Sequence, residues 1–159
     1  IICVGGGTGI APFVAFAKHF QDTNDTREVV VLHGASYVDE LSYKRLFTDM
    51  ENASEKIGRD KWNFRYRAAI SRPKEFFNRS WNGHVGRVES FFAPDKKTGL
   101  SPVEEMVGEK ITPENTIIYI CGYQGTIDGV LDSLGPKGFV TEHDKKSDGS
   151  FGIKYESYG

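Results

Sequence analysis

The sequence has little cysteine: Cys3 and Cys121 are the only two in 159 residues. They stand far apart with no C-x-x-C spacing, so neither zinc nor a disulfide framework is suggested, and a reducing, cytoplasmic setting is the default expectation. An excess of one charge is missing too. Twenty Lys and Arg face 22 Asp and Glu, a formal net charge of −2, which argues against a nucleic-acid binder held by a basic surface. No apolar run approaches the ~18 residues of a membrane span, and no charged-then-apolar leader marks a secretory signal. Histidine is scarce. His33, His84 and His143 lack metal-ligand spacing and read as surface or turn histidines, with no metal site expected. A starting methionine is also absent: the chain opens directly on a strand, Ile1 to Val4, as a piece cut from a longer protein would.

What is present is ordinary for a folded domain. The chain is 38% hydrophobic and 26% charged, long enough for one core and too short for two comfortable ones. Its pattern alternates strand and helix. "IICVGG", "EVVVLHGAS", "WNFRYRAAIS", "TIIYICGY" and "FGIKYESYG" read as five strands. "APFVAFAKHF", "DELSYKRLFTDM" and "GTIDGVLDSLG" read as helices, with Leu41, Leu46, Phe47 and Met50 on one face of the second and Gly135 stopping the third. "HVGRVESFF" suggests a further helix start, and 94 to 116 is the least regular stretch, expected at the surface. Repeating β-α units predict a doubly wound, mainly parallel five-stranded α/β sheet with helices on both faces. Ligands of such sheets bind beyond the C-terminal strand ends.

One of those ends is "CVGGGTGIAPF", residues 3 to 13, with four glycines between a buried-looking strand and a helix. Glycine permits positive φ and close approach of a ligand to the backbone. A glycine turn feeding a helix N-terminus is a phosphate seat, to which Thr8 can add a hydroxyl, and Pro12 fits a first helical turn. Two common phosphate motifs are absent. A P-loop would need Gly-Lys-[Ser/Thr], and the first lysine is Lys18. The fingerprint G-x-G-x-x-G would need glycine at Ile10 or Pro12, and its acidic partner is missing because "LHGAS" ends in small neutral residues. A tight strand–helix turn without a ligand is the other reading of these glycines.

"GGTGIAP" followed by an apolar helix resembles the pyrophosphate loop of the ferredoxin–NADP reductase family, with Gly7, Thr8, Gly9, Ile10, Ala11 and Pro12 matching in order. Three further features of that family follow, each at a predicted strand end. "AISR" supplies Ser71 and Arg72, where the family holds the 2′-phosphate that distinguishes NADP from NAD. A guanidinium and a hydroxyl suit a phosphate monoester, although a Ser-Arg pair at a strand end is also common on surfaces. "YICGY" supplies Cys121 and Gly122, matching the Cys-Gly pair that lies close to the nicotinamide. "KYESYG" supplies Glu156 and Tyr158, matching the family's terminal Glu-x-Tyr, whose ring stacks on the flavin; here Gly159 follows the tyrosine. "HVGRV" resembles a segment that helps hold the adenosine end, with Arg87 as the matching residue. Tyr123 is either a ring packed on the adenine or nicotinamide, or ordinary core.

The resemblance implies a Rossmann-like module spanning 1 to 159 that is the C-terminal, NADP-binding half of a flavin-dependent ferredoxin/flavodoxin–NADP oxidoreductase. Its Arg-x-Tyr-[Ser/Thr] flavin motif does not occur in these residues, so the N-terminal FAD-binding barrel is expected elsewhere in the parent protein, and the isolated domain is expected to be redox-inactive without FAD. Gly7 to Ala11 would cradle the pyrophosphate, Ser71 and Arg72 would grip the 2′-phosphate, Cys121 and Glu156 would line the hydride path, and Tyr158 would act as a displaceable lid on the flavin. Implied partners are the FAD-binding domain and ferredoxin or flavodoxin, with no nucleic acid and no membrane span. Two alternatives stay open: an NAD(P)H-binding domain of an oxygenase-type electron-transfer reductase, and a non-catalytic NADP-binding module.

Overall fold

Among the described residues, 1 to 157 with Thr8 known by its backbone alone, the computed structural model alternates six strands with four α-helices. Along the chain these are β1 (Ile2–Gly6), α1 (Ala11–Asp22), β2 (Val29–Ala35), α2 (Lys44–Ile57), β3 (Phe64–Ile70), β4 (His84–Val85), α3 (Pro102–Val107), β5 (Ile118–Gly122), α4 (Gln124–Leu134) and β6 (Ile153–Ser157). They form one sheet in the order β4-β3-β2-β1-β5-β6, and every pairing is parallel. The chain winds outward from β1 in one direction, then crosses back and winds outward from β5 in the other. The point of reversal is between β1 and β5, where a crevice opens above the strand ends.

Side chains that alternate along each strand divide into two cores, one on each face of the sheet. Ile2, Val4, Val30, Leu32, Ile118 and Ile120 join Val130 and Leu134 of α4. Cys3, Val29 and Val31 join Phe13 and Phe20 of α1 and Phe47 of α2 on the opposite face. Both cysteines are buried, and burial pushes the Cys3 thiol up to about 12.

The expected parallel α/β sheet is present, with one strand more than the five foreseen. The sixth, β4, lies where "HVGRVESFF" suggested a helix start. His84 and Val85 extend the sheet beside Ala69 and Ile70, Gly86 turns at φ +134°, and a 3-10 turn over Val88–Phe92 stands in place of an α-helix. Leu46 is also corrected: it is exposed, whereas Leu41, Phe47 and Met50 are buried. Leu41 lies before α2, which begins only at Lys44, so the four residues do not share one helical stripe.

The stretch from 94 to 116 is more ordered than a surface loop. Its Ser101 and Glu104 form a capping box at the start of α3, with Pro102 in the first turn. Glu104 is 2% exposed and accepts hydrogen bonds from the N–H groups of Ser101 and Ile111, both at 3.0 Å, from the Ser101 hydroxyl at 2.9 Å, and from Lys137 Nζ at 3.1 Å. Burial opposes its charge, but these donors outweigh burial and hold the carboxyl at about 2.

Candidate functional site

The glycine turn closes β1 onto α1. Gly5 and Gly6 belong to the strand itself, in register with His33 and Gly34 of β2. A Cβ on Gly5 would stand 2.8 Å from Ile10 Cδ1 and 3.1 Å from Ile10 Cα, so the bare backbone is what lets the turn fold back so tightly. Gly7 adopts φ +56°, and open space within 4 Å surrounds the position its side chain would take. Residues Gly7–Ile10 form a 3-10 turn that leads into α1, with Pro12 in the first helical turn as expected. The N-cap of α1 is Ile10, which makes no side-chain cap. The N-cap of α4, Tyr123, gives its helix no side-chain cap either. The start of α4 therefore borders the crevice, through Tyr123 and Thr126, with a positive dipole end that its N-cap side chain does not cover, whereas α1 runs on from the 3-10 turn whose Gly7 lines the same crevice.

A histidine sets the turn's carbonyl. His33 is fully buried in β2, so its expected surface position is corrected. Its Nε2 lies 3.1 Å from Gly7 O and its Nδ1 lies 3.1 Å from the Tyr66 hydroxyl. A carbonyl can only accept, which puts the proton on Nε2 and leaves Nδ1 to accept from Tyr66. Burial lowers the His33 pKa, against a smaller opposing effect from the Gly7 carbonyl. Continuous apolar patterning around "VVVLHGA" was the available signal for this depth. His84 is half-buried and His143 exposed, and among the described residues no group of His, Cys, Asp and Glu is arranged to hold a metal ion.

Ser71 and Arg72 follow β3, and the backbone N–H of Ser71 donates to Ala35 O at 3.0 Å. The guanidinium of Arg72 lies over the Tyr37 ring, 5.6 Å from its centroid, and donates to the Tyr37 hydroxyl at 3.3 Å. Beneath them Asn78, 1% exposed, donates to Ser36 O at 2.8 Å and Arg72 O at 2.9 Å, while its Oδ1 accepts from Val38 N at 2.9 Å. One buried amide thus ties the loop after β2 to the loop after β3. Nothing in sequence spacing singles out Asn78, because its partners at Ser36 and Val38 lie about forty positions away.

Arg87 stands across the crevice, and its Nε pairs with Glu89 Oε1 at 3.3 Å. The loop carrying Arg87 is fixed by Ser90, whose hydroxyl donates to Arg87 O and accepts from His84 Nε2 at 2.8 Å. Glu40 supplies what the end of β2 lacked. It reaches back to accept from Ser36 N at 3.3 Å, so a carboxylate does stand at that strand end, donated by a later turn.

A cavity of about 510 Å³ collects these groups: Gly6, Gly7, Ser71, Arg72, Arg87 and Tyr123 line it, together with Glu40 and Glu89. Gly122, at the end of β5, does not line it but lies behind Gly6: a Cβ there would be 3.6 Å from Gly6 N. Cys121 is buried and paired in register with both Gly5 and Glu156. Glu156 itself is exposed, and so is Tyr123, at 56%. Neither Cys121 nor Glu156 lines the cavity, and Tyr158 lies outside the described residues. A second hollow of about 480 Å³ lies at the N-terminal strand ends, bordered by Glu28, Glu109 and Glu114. Its Arg27 is bound to Asp25 at 2.7 Å. Carboxylates outnumber the one arginine there, whereas the cavity at the C-terminal ends sets glycine backbone and two arginines beside its Glu40 and Glu89.

The family model for the oxidoreductase NAD-binding domain matches residues 3–132. Over 135 residues the chain is 29% identical to a ferredoxin–NADP reductase of Azotobacter vinelandii, covering 82% of this chain and 48% of that protein. It is 28% identical over 138 residues to an NADH-cytochrome b5 reductase of Emericella nidulans, covering 86% of this chain and 35% of that one. The chain thus spans half or less of the relatives it matches. A ferredoxin NADP+ reductase from Neisseria gonorrhoeae, solved with bound FAD and NADP, superposes with a TM-score of 0.61 at 21% identity, covering 98% of this chain and 55% of that one. No helix among the described residues is long and apolar enough to cross a membrane.

Proposed function

Given that this chain belongs to the oxidoreductase NAD-binding domain family, we propose that residues 1–159 are the NADP(H)-binding half of a ferredoxin/flavodoxin–NADP oxidoreductase. The observation that carries this reading is the meeting of Ser71 and Arg72 with the Gly6–Gly7 turn around one cavity at the point where the sheet reverses. The cavity fits the group. Gly7 leaves open the space a side chain would fill, and the start of α4, without a side-chain cap at Tyr123, suits a pyrophosphate.

In this reading the backbone of Gly7, Thr8, Gly9, Ile10 and Ala11 seats the pyrophosphate, with Pro12 fixing the direction of α1. Ser71 and Arg72 grip the 2′-phosphate, Tyr37 holds the guanidinium flat, and Arg87 approaches from the far wall. Gly122 lets β5 lie close behind Gly6, and Tyr123 offers an exposed ring to a base. Cys121 and Glu156, side by side at the ends of β5 and β6, border the path along which the nicotinamide would face a flavin. Tyr158 is proposed as the lid on that flavin. When bound, the nicotinamide supplies a hydride that FAD can accept, and the flavin divides it into single-electron steps. The FAD-binding barrel would be carried elsewhere in the parent protein, ferredoxin or flavodoxin would exchange electrons with the flavin, and the sparse, unspaced cysteines fit a cytoplasmic setting.

A second reading has its own support. Glu40 and Glu89 share the cavity with the arginines, and carboxylates accept from a ribose diol more readily than they tolerate a phosphate. This favours an NADH-dependent reductase of the kind named among the relatives. Calorimetric titration at fixed salt with NADP, NAD and 2′-AMP separates the two. Tighter binding of NADP and 2′-AMP than of NAD, abolished in Arg72→Ala, supports the first reading. Equal or tighter binding of NAD supports the second.

A further inference from the structure

We propose that Glu89 is a specificity-determining residue that acts through Arg87, holding it away from a 2′-phosphate and thereby weakening the preference for NADP. This rests on the nucleotide reading above. The pair is seated in a built groove. Glycines at 125 and 129, one helical turn apart, bare a face of α4. A Cβ on Gly129 would stand 2.7 Å from Glu89 Oε1 and 2.8 Å from its Cδ, so the carboxylate occupies the space that a side chain there would fill. A Cβ on Gly125 would stand 3.7 Å from Arg87 Nη2.

The two partners differ in freedom. The Glu89 side chain is 21% exposed and packed against the helix backbone, whereas Arg87 is 67% exposed and long enough to swing. Glu89 is therefore the fixed member and Arg87 the movable one. Arg87 has two competing partners across the same cavity: the carboxylate at 3.3 Å and any phosphate beside Ser71 and Arg72. A phosphate monoester recruiting Arg87 must break the ion pair and sit near an uncompensated carboxylate. A ribose 2′-hydroxyl demands neither. The cost falls on NADP alone.

The test is calorimetric titration of NADP, NAD and 2′-AMP into the wild-type chain, Glu89→Gln, Arg87→Ala and the double variant. Exposed ion pairs contribute about 0.5–1 kcal/mol, so Glu89→Gln should raise NADP and 2′-AMP affinity roughly twofold to fivefold and leave NAD unchanged. That gain should vanish in the Arg87→Ala background. An equal change for NADP and NAD, a loss of NADP affinity, or a gain that survives Arg87→Ala overturns the proposal. The wild-type NADP:NAD ratio tests the nucleotide reading separately. Even if that ratio is near one, the proposal requires it to rise in Glu89→Gln.

Discussion

Two helix N-termini in this fold are treated in opposite ways. That of α3 is closed: Ser101 and Glu104 cap each other, and Ile111 and Lys137 take the remaining capacity of the carboxylate. That of α1 is left without a side-chain cap beside a glycine whose side is open. One end spends its orphan N–H groups on holding the chain together, and the other is entered through a glycine turn that lines a cavity. A carboxylate whose donors all come from the fold is architecture, whereas polar groups with capacity left over mark where a ligand completes the set.

The largest effect should come from breaking the closed end. Glu104→Ala leaves the Lys137 ammonium and two N–H groups without their acceptor, a loss of about 3–4 kcal/mol in denaturant unfolding. Nucleotide affinity of the folded fraction should not change. Acid should have a related effect on the wild type. The Glu104 carboxyl is held at about 2 against an ordinary 4.5, so its stabilisation is complete above 4.5 and is lost as the pH falls through 2. The acid limb should lose about 3 kcal/mol over that window, and the Glu104→Ala limb should lack this component.

Breaking the open end should produce the reverse pattern. Arg72→Ala removes a cation whose one side-chain hydrogen-bond partner among the described residues is the Tyr37 hydroxyl, at 3.3 Å, so stability should shift by less than about 0.5 kcal/mol. NADP and 2′-AMP should each weaken roughly thirtyfold, from about 2 kcal/mol of charge-assisted hydrogen bonding, while NAD is unaffected. A variant that lost stability and NAD affinity together would instead assign Arg72 to the scaffold.

The two ends also differ in how well the sequence displays them. The glycine turn, Ser71–Arg72 and Cys121–Gly122 are contiguous motifs at the ends of long apolar runs, and strand periodicity locates them without any knowledge of the fold. The cap of α3 was equally local, as Ser-Pro-Val-Glu, yet the irregular composition around it disguised it. Strand β4 is two residues long, too short for any period to declare itself. Asn78, Glu40 and Glu89 were out of reach for another reason. Asn78 acts across loops brought together by the β2–β3 pairing, and Glu89 is defined by a missing side chain at Gly129, forty residues later. A contact made of absence leaves no pattern until the chain is folded.

The smallest expected effect lies where the two kinds of end meet, at His33, a buried scaffold residue whose partner is the carbonyl of the open turn. Tyr66→Phe removes the donor to Nδ1 and should cost about 1 kcal/mol of stability. It should weaken NADP about twofold through the loosened Gly7 while leaving 2′-AMP unchanged. Burial pushes the Tyr66 hydroxyl above its usual range, so that hydroxyl keeps its proton throughout the window in which His33 titrates. With the folded pKa of His33 lowered from 6.5, the unfolded chain binds a proton below 6.5 that the folded chain refuses. Stability is therefore fully present above 6.5 and declines as the pH falls below it, until the folded pKa is reached. Protonation would turn Nδ1 into a donor, and the Tyr66 hydroxyl, which can accept as well as donate, would have to reverse its role. Because burial is what lowers the His33 pKa, the decline below 6.5 should persist in Tyr66→Phe. Its disappearance would mean that the Tyr66 hydrogen bond, and not burial, keeps His33 neutral beneath the glycine turn.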